Sequence, residues 1–261
     1  MSKKQLYSEQ GYVQINQLFN SAEVESLINA IKSASVQLPK TSSLNKTGLT
    51  FYSNVFKYSG EIRSILAQQK VVDLLAEISN ESFWVRWDQC VEKHQNGEPF
   101  PLHRDNVYSK IPHEHLQFWI ALSDMDEHNG SLKVVPKSHL FPPVEHIQNG
   151  QHWQVESKDY QTLTINAKRG DVIVFSSKLL HATNTNSTPI SRWAYVVEFI
   201  PIKCHDPSVN PPYWYFCNYG SIINKMVDDL PFESMLSAQD LFQTQKPILP
   251  KIFKGKNRRN V

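Results

Sequence analysis

His103 and Asp105 stand one residue apart in Pro101-Leu102-His103-Arg104-Asp105. In an extended segment the side-chain period of two points both to one face, so an imidazole and a carboxylate converge on one point. A second imidazole, His181, comes far along the chain and is followed by Arg192. Two neutral imidazoles and one carboxylate on a triangular face of an octahedral ion leave three positions open, an arrangement that suits a ferrous oxygenase. Such a site keeps a net positive charge and would hold an anionic co-substrate. A guanidinium at Arg192 could grip the far carboxylate of a dicarboxylic acid in a bidentate fork, which lysine could not form.

Competing assignments for these residues carry less. A lone His-x-Asp pair is commonplace and usually structural; it is the addition of His181 and Arg192 that favours iron. His-Arg-Asp also occurs in the protein-kinase catalytic loop, but that loop needs asparagine where this chain has Lys110, and neither a glycine-rich loop nor Asp-Phe-Gly occurs. His113 and His115 form a rival metal pair without an evident third ligand.

The elements that must position these groups change character along the chain. Gly11 to Ile15 reads as a short strand. Asn20 and Ser21 offer N-caps to a helix whose Val24, Leu27, Ile28 and Ile31 share one face. Pro39 to Gly48 is unpatterned and reads as a loop. Further helix is expected where Ile62, Ile65 and Leu66, then Val71, Leu74, Leu75 and Ile78, repeat the pattern. From Phe83 the period becomes two, with Phe83, Val85, Trp87, Gln89 and Val91 expected on one face and Trp84, Arg86, Asp88 and Cys90 on the other. Strands are also expected at 116–122, 132–135, 162–165, 171–175 and 193–199, separated by turns at Asn129-Gly130, Arg169-Gly170-Asp171 and 184–189. Many short strands without alternating helices predict a mainly β chain, a sandwich or barrel.

Within that barrel His115, Gln117, Trp119 and Ala121 share a strand face, so if Trp119 faces the cavity, Gln117 and His115 become candidates for co-substrate or substrate contact. Gln89 interrupts an apolar face and, as a buried amide, needs a hydrogen-bond partner in a pocket or in the core. Trp84, Trp87, Trp193 and Trp214 are expected to be packing residues, as is the aromatic run 211–216. Loops 106–112 and 141–160 are the expected lid and specificity elements.

Bulk properties bound the function class. A chain of 261 residues with 40% hydrophobic and 20% charged residues suits one domain, here a core of about 8–200 with a C-terminal extension 201–261. A formal charge of +2 gives no reason to expect nucleic acid as a partner, and the basic stretch 251–259 reads as a solvated terminus. No apolar run approaches membrane length, and the N-terminus lacks a secretory pattern. Three cysteines, Cys90, Cys204 and Cys217, suggest neither a disulfide framework nor a zinc site. A cytoplasmic location is expected.

Three blocks resemble the phytanoyl-CoA dioxygenase family of iron(II)- and 2-oxoglutarate-dependent oxygenases. The first is Pro101 to Asp105. The second runs from Phe118-Trp119-Ile120-Ala121-Leu122-Ser123-Asp124 through Asn129-Gly130-Ser131-Leu132 to Pro136-Lys137-Ser138-His139, with Lys137 in place of a glycine. The third runs from Gly170-Asp171-Val172 through His181-Ala182-Thr183, Asn186 and Thr188 to Arg192. The resemblance implies a double-stranded β-helix, a jelly-roll or cupin-like barrel, with flanking N-terminal helices. It implies Fe(II) on His103, Asp105 and His181, and 2-oxoglutarate held by Arg192 and Thr183 with Trp119 lining its pocket. Gln117 and Gln89 are further co-substrate candidates and His115 a substrate candidate. Members often add a lysine from an early strand, for which the sequence offers no clear counterpart. Related halogenases carry a small residue at the carboxylate position, so Asp105 favours hydroxylation. The expected reaction consumes O2 and releases succinate and CO2 while a C–H bond of a small metabolite is hydroxylated. The alternatives are an inactive ligand-binding barrel and a protein or peptide hydroxylase.

Overall fold

Helices come first because the sequence caps them. Residues Lys3–Gln10 form α1, opened by a capping box between Ser2 and Gln5, and Ser21–Ser35 form α2, opened by one between Asn20 and Glu23. Helices α3 (Gly60–Leu66) and α4 (Gln69–Ile78) follow. The computed structural model describes residues 1–38, 47–108, 111, 113–150, 152–156 and 159–230. Most of the loop expected at 39–48 and all of the basic stretch 251–259 lie outside these.

The β-rich part makes two facing sheets. The larger has eight strands: β1 (Tyr12–Ile15), β10 (Val172–Ser176), β5 (Leu116–Ala121), β12 (Arg192–Pro201), β3 (Phe83–Lys93), β13 (Tyr213–Asn218) and β14 (Ser221–Val227) in that order, with β2 (Leu49–Ser53) also paired to β3. The smaller has four, in the order β4 (Phe100–His103), β11 (His181–Thr183), β6 (Leu132–Val134) and β9 (Leu163–Thr164). From β3 to β12 the chain crosses repeatedly between the two sheets, and every pairing is antiparallel. This is the double-stranded β-helix, and the fold is mainly β.

The two faces of the larger sheet have different work. Leu116, Phe118 and Ile120 of β5, with Tyr195, Val197 and Phe199 of β12, meet Val24, Leu27, Ile31, Val71 and Leu75 in one core cluster. Truncating Phe118 there would cost about 3–5 kcal/mol in lost burial and residual cavity. On the other face Trp119, Ala121, Ile173, Phe175 and Ala194 meet Leu132 and Val134 from the smaller sheet. The alternation of β5 and β12 thus puts helices outside and a cavity inside. Gly170 sets the entry to β10: its φ is +95°, and a Cβ there would lie 2.1 Å from the carbonyl oxygen of Phe19, whose N–H donates back to Gly170.

Two expectations need correction. The single alternation over 83–91 is broken, because the register of β12 on β3 shifts between Glu198, opposite Trp87, and Phe199, opposite Val85. A bulge at Arg86 puts two residues against one and inverts the faces beyond it. Phe83 and Val85 therefore join Cys90 against the helices, while Trp87, Gln89, Val91 and Lys93 line the cavity. The segment 141–160 is no plain loop: β7 (Ile147–Asn149) and β8 (His152–Gln154) form a hairpin. It lies over β4, with Val155 N donating to Leu102 O and Trp153 N to the Tyr108 hydroxyl. The C-terminal aromatic run packs, as expected: Trp214 and Phe216 are fully buried in the outer core, and β13 and β14 extend the larger sheet. No helix of the described residues is long and apolar enough to cross a membrane.

Candidate metal and co-substrate site

Strand register brings the two imidazoles together. His181 of β11 pairs directly with His103 of β4, and residues opposite each other on one face lie close. Their rings are 4.2 Å apart, centroid to centroid. Asp105 follows β4 and opens a short 3-10 turn over Asp105–Val107, not an extended step, yet its carboxylate still reaches the pair. Its Oδ1 is 3.5 Å from His103 Nε2 and 3.6 Å from His181 Nε2. One candidate ligand atom from each of the three lies within 4.8 Å of the others, and among the described residues no other such cluster of three occurs.

Backbone carbonyls fix the ring orientations. His103 Nδ1 is 2.8 Å from Pro101 O and His181 Nδ1 is 3.0 Å from Leu179 O. Each Nδ1 must carry its proton to make that bond, which leaves the Nε2 lone pair free toward the cluster. Burial pushes the His181 imidazolium down to about 4, so the ring is neutral at ordinary pH. At Asp105 burial alone would raise the carboxyl, but His181 and His103 outweigh it and hold it low. Two neutral nitrogens and one ionised carboxylate are the donor set ferrous oxygenases use. The arginine between the ligands has a mechanical role the sequence did not reveal. Arg104 is buried; its Nη2 donates to Ser138 O at 2.6 Å and its Nη1 to Pro142 O at 3.2 Å. It ties the ligand-bearing turn to the segment leading into the covering hairpin.

A cavity of about 950 Å³ opens between the sheets beside this cluster, with Gln89, Lys93, Trp119, Thr183 and Arg192 in its wall. Arg192 is 2% exposed and Lys93 1%, and they are register partners on β12 and β3. Among the described residues neither has an ion-pair partner, and Arg192 Nε is buried with no hydrogen bond. Burial lowers the Arg192 guanidinium to about 10, and burial with Arg192 alongside drives the Lys93 ammonium to about 6. Lys93 Nζ donates to Thr183 Oγ1 at 2.8 Å and to Asn184 O at 2.6 Å. Gly130 makes room for the lysine stem: a Cβ there would lie 2.7 Å from Lys93 Cδ. Trp119 faces the guanidinium at 5.9 Å. A buried guanidinium beside a buried amine, with no counter-ion, is costly to keep charged. A dicarboxylate such as 2-oxoglutarate supplies the missing charge, so the residues present fit it.

The sequence model of the phytanoyl-CoA dioxygenase (PhyH) family matches residues 7–194. The chain belongs to that family. A probable alpha-ketoglutarate-dependent hypophosphite dioxygenase of Stutzerimonas stutzeri is 23% identical over 71% of this chain and 73% of its own. A phytanoyl-CoA dioxygenase domain-containing protein 1 homolog of Dictyostelium discoideum is 23% identical over 66% of this chain and 64% of its own. Among solved structures, the epimerase SnoN in complex with Fe3+, alpha ketoglutarate and nogalamycin RO superposes with a TM-score of 0.69 at 15% identity, covering 85% of this chain and 94% of that one. Membership in the PhyH family makes this chain an iron- and 2-oxoglutarate-dependent dioxygenase.

The early-strand lysine for which the sequence offered no clear counterpart has a candidate in Lys93, which β3 places beside Arg192. The signal was present: extending the face of Gln89 and Val91 by two residues reaches it, a charged side chain at the end of an otherwise half-apolar strand. Gln89 lines the cavity and donates from Nε2 to Ser53 Oγ at 2.8 Å. Gln117 also lines it, but near Glu198, to which its Nε2 donates at 3.2 Å, and not beside Arg192. His115, expected to touch substrate, is 1% exposed and sits behind Glu198, with Nε2 2.7 Å from Glu198 Oε1. It reaches the cavity only through that carboxylate.

Proposed function

We propose that this chain hydroxylates an unactivated C–H bond of a small molecule. His103, Asp105 and His181 would hold Fe(II), and Arg192, Lys93 and Thr183 the distal carboxylate of 2-oxoglutarate. Iron with 2-oxoglutarate and dioxygen supplies the oxidative power, releasing succinate and CO2 as the C–H bond is oxidised. The protein binds, orients and shields. Arg192 and Lys93 fix the co-substrate by its far end, which sets its register relative to the three ligands. Pro101 O and Leu179 O keep both imidazoles in the tautomer that presents Nε2. The hairpin β7–β8 covers the β4 side and places His152 in the cavity wall, limiting water.

The uncompensated Lys93–Arg192 pair beside the His-Asp-His cluster is the observation that carries this reading. An inactive binding barrel would have no need of both. The test is reconstitution with Fe(II) and 2-oxoglutarate without oxygen, then admission of air in the presence of a metabolite extract. Succinate formation with a compound gaining about 16 mass units, the shift expected of hydroxylation, is the expected result. Binding of 2-oxoglutarate with no succinate formed would overturn it.

A further inference from the structure

At the other end of the same strand face lies a charge cluster that iron and 2-oxoglutarate leave unused. Glu198 of β12 is six residues beyond Arg192, roughly 20 Å along the strand, and it also lines the cavity, with Arg86, Trp87 and Gln117. Its carboxylate is 3% exposed and fully engaged: Oε2 accepts from Arg86 Nη1 at 2.7 Å, while Oε1 faces His115 Nε2 at 2.7 Å and accepts from Gln117 Nε2. Arg86 Nε also donates to Asp206, which is completely buried. His115 Nδ1 is 3.2 Å from His113 O, and its Nε2 stands at ion-pair distance from the Glu198 carboxylate without hydrogen-bond geometry, a proximity that favours the imidazolium. Burial disfavours that cation but Glu198 outweighs it, raising the His115 pKa.

Arg86 and His115 are therefore balanced by Glu198 and Asp206, and this end of the cavity carries no net charge. Among the described residues, Lys93, Arg192 and Arg86 are the lysine and arginine side chains that line the cavity: the first two stand at the co-substrate end, and Arg86 is neutralised. Among the described residues none is left for a phosphate or a carboxylate on the substrate. Polar capacity does remain. Gln117 is 1% exposed and its Oε1 is buried without a partner; the Nε2 bond to Glu198 fixes the amide in that orientation. An orphaned acceptor in a cavity wall calls for a donor. Trp87, the register partner of Glu198, supplies aromatic surface at this end of the cavity.

We propose that the substrate presents to Gln117, Glu198 and Arg86 a head group of zero net charge that both donates and accepts hydrogen bonds, a hydroxyl, carboxamide or internal ammonium–carboxylate pair, on an apolar body. This deepens the function proposed above and rests on it for the use of Lys93 and Arg192.

The test is calorimetric titration of the full-length protein, saturated with 2-oxoglutarate in the absence of oxygen so that Arg192 and Lys93 are occupied, with probes sharing one phenyl body: 3-phenylpropanamide, 3-phenylpropan-1-ol and L-phenylalanine against 3-phenylpropanoate and 3-phenylpropylammonium. The neutral probes should bind at least tenfold tighter than either ion, and Gln117→Leu should erase that advantage. The two readings fail separately. If 2-oxoglutarate does not bind, the co-substrate assignment falls whatever the probes do. Equal or absent binding across the probe set, or preference for the anion, overturns the head-group assignment whatever 2-oxoglutarate does.

Discussion

The two ends of strand β12 solve the same problem in opposite ways. Each turns a guanidinium to the cavity, Arg192 buried and Arg86 half-buried. Arg86, in the bulge of β3 beside Glu198, is clasped by Glu198 and Asp206, whereas Arg192 has only the Lys93 amine for a basic neighbour and no carboxylate among the described residues. A buried charge with its partners present is architecture; one without them is waiting for a ligand. The difference separates a place that selects by hydrogen bonding from one that selects by charge.

Methionine substitutions should break the symmetry most visibly. Arg86→Met removes the cation that two buried carboxylates share, and breaking such a pair from one side costs about 3–5 kcal/mol. Chemical denaturation should show that loss while 2-oxoglutarate still binds in calorimetry. Arg192→Met should do the reverse. Losing a charge-assisted contact of about 2.7 kcal/mol weakens 2-oxoglutarate affinity about 100-fold, and stability of the ligand-free protein should stay level or rise, because an uncompensated buried charge has gone. Equal stability losses in the two variants would remove the distinction.

Lys93 sharpens it through pH. Its ammonium is held at about 6 in the free site, so near pH 7 the amine is mostly neutral. A bound carboxylate favours the charged form and raises that value, so binding takes up a proton. Affinity is then full below about 6 and falls up to tenfold per pH unit above it, while Arg192, held at about 10, stays charged. Titrations of 2-oxoglutarate from pH 6 to 8.5 should show the slope, and Lys93→Met should flatten it. A slope of opposite sign would exclude proton uptake at this amine.

Much of this was legible in the residues. His103, His181, Thr183, Arg192 and Trp119 sit on strands, so the period of two was a guide to their faces, while Asp105 joins the cluster from the turn after β4; the strands at 116–121 and 172–176 fall within a residue of where that pattern put them. Lys93 extends the face of Gln89 and Val91, so the period of two reached it; the far end was hidden by one bulge, because an extra residue at Arg86 inverts the pleat and puts Phe83 and Val85 on the side opposite Trp87. His115 was misread for another reason: the face was right, but its partner Glu198 lies far off in sequence and fills the space between it and the cavity. The C-terminal hairpin was opaque because its polar, irregular strand β14 has little alternation to read.

Thr183 offers the finest cut between the two ends. Its Oγ1 accepts from Lys93 Nζ at 2.8 Å and from Phe100 N at 3.3 Å, so the hydroxyl aims the amine at the space before Arg192. Thr183→Val keeps the branched shape and the strand but removes that acceptor. One hydrogen bond of about 1 kcal/mol corresponds to roughly fivefold in affinity. The expected result is a fivefold rise in the 2-oxoglutarate dissociation constant with the neutral-probe affinities at Gln117 unchanged. If the probes weakened in step with 2-oxoglutarate, the two ends would be one coupled site, and the contrast drawn from their charges would not hold.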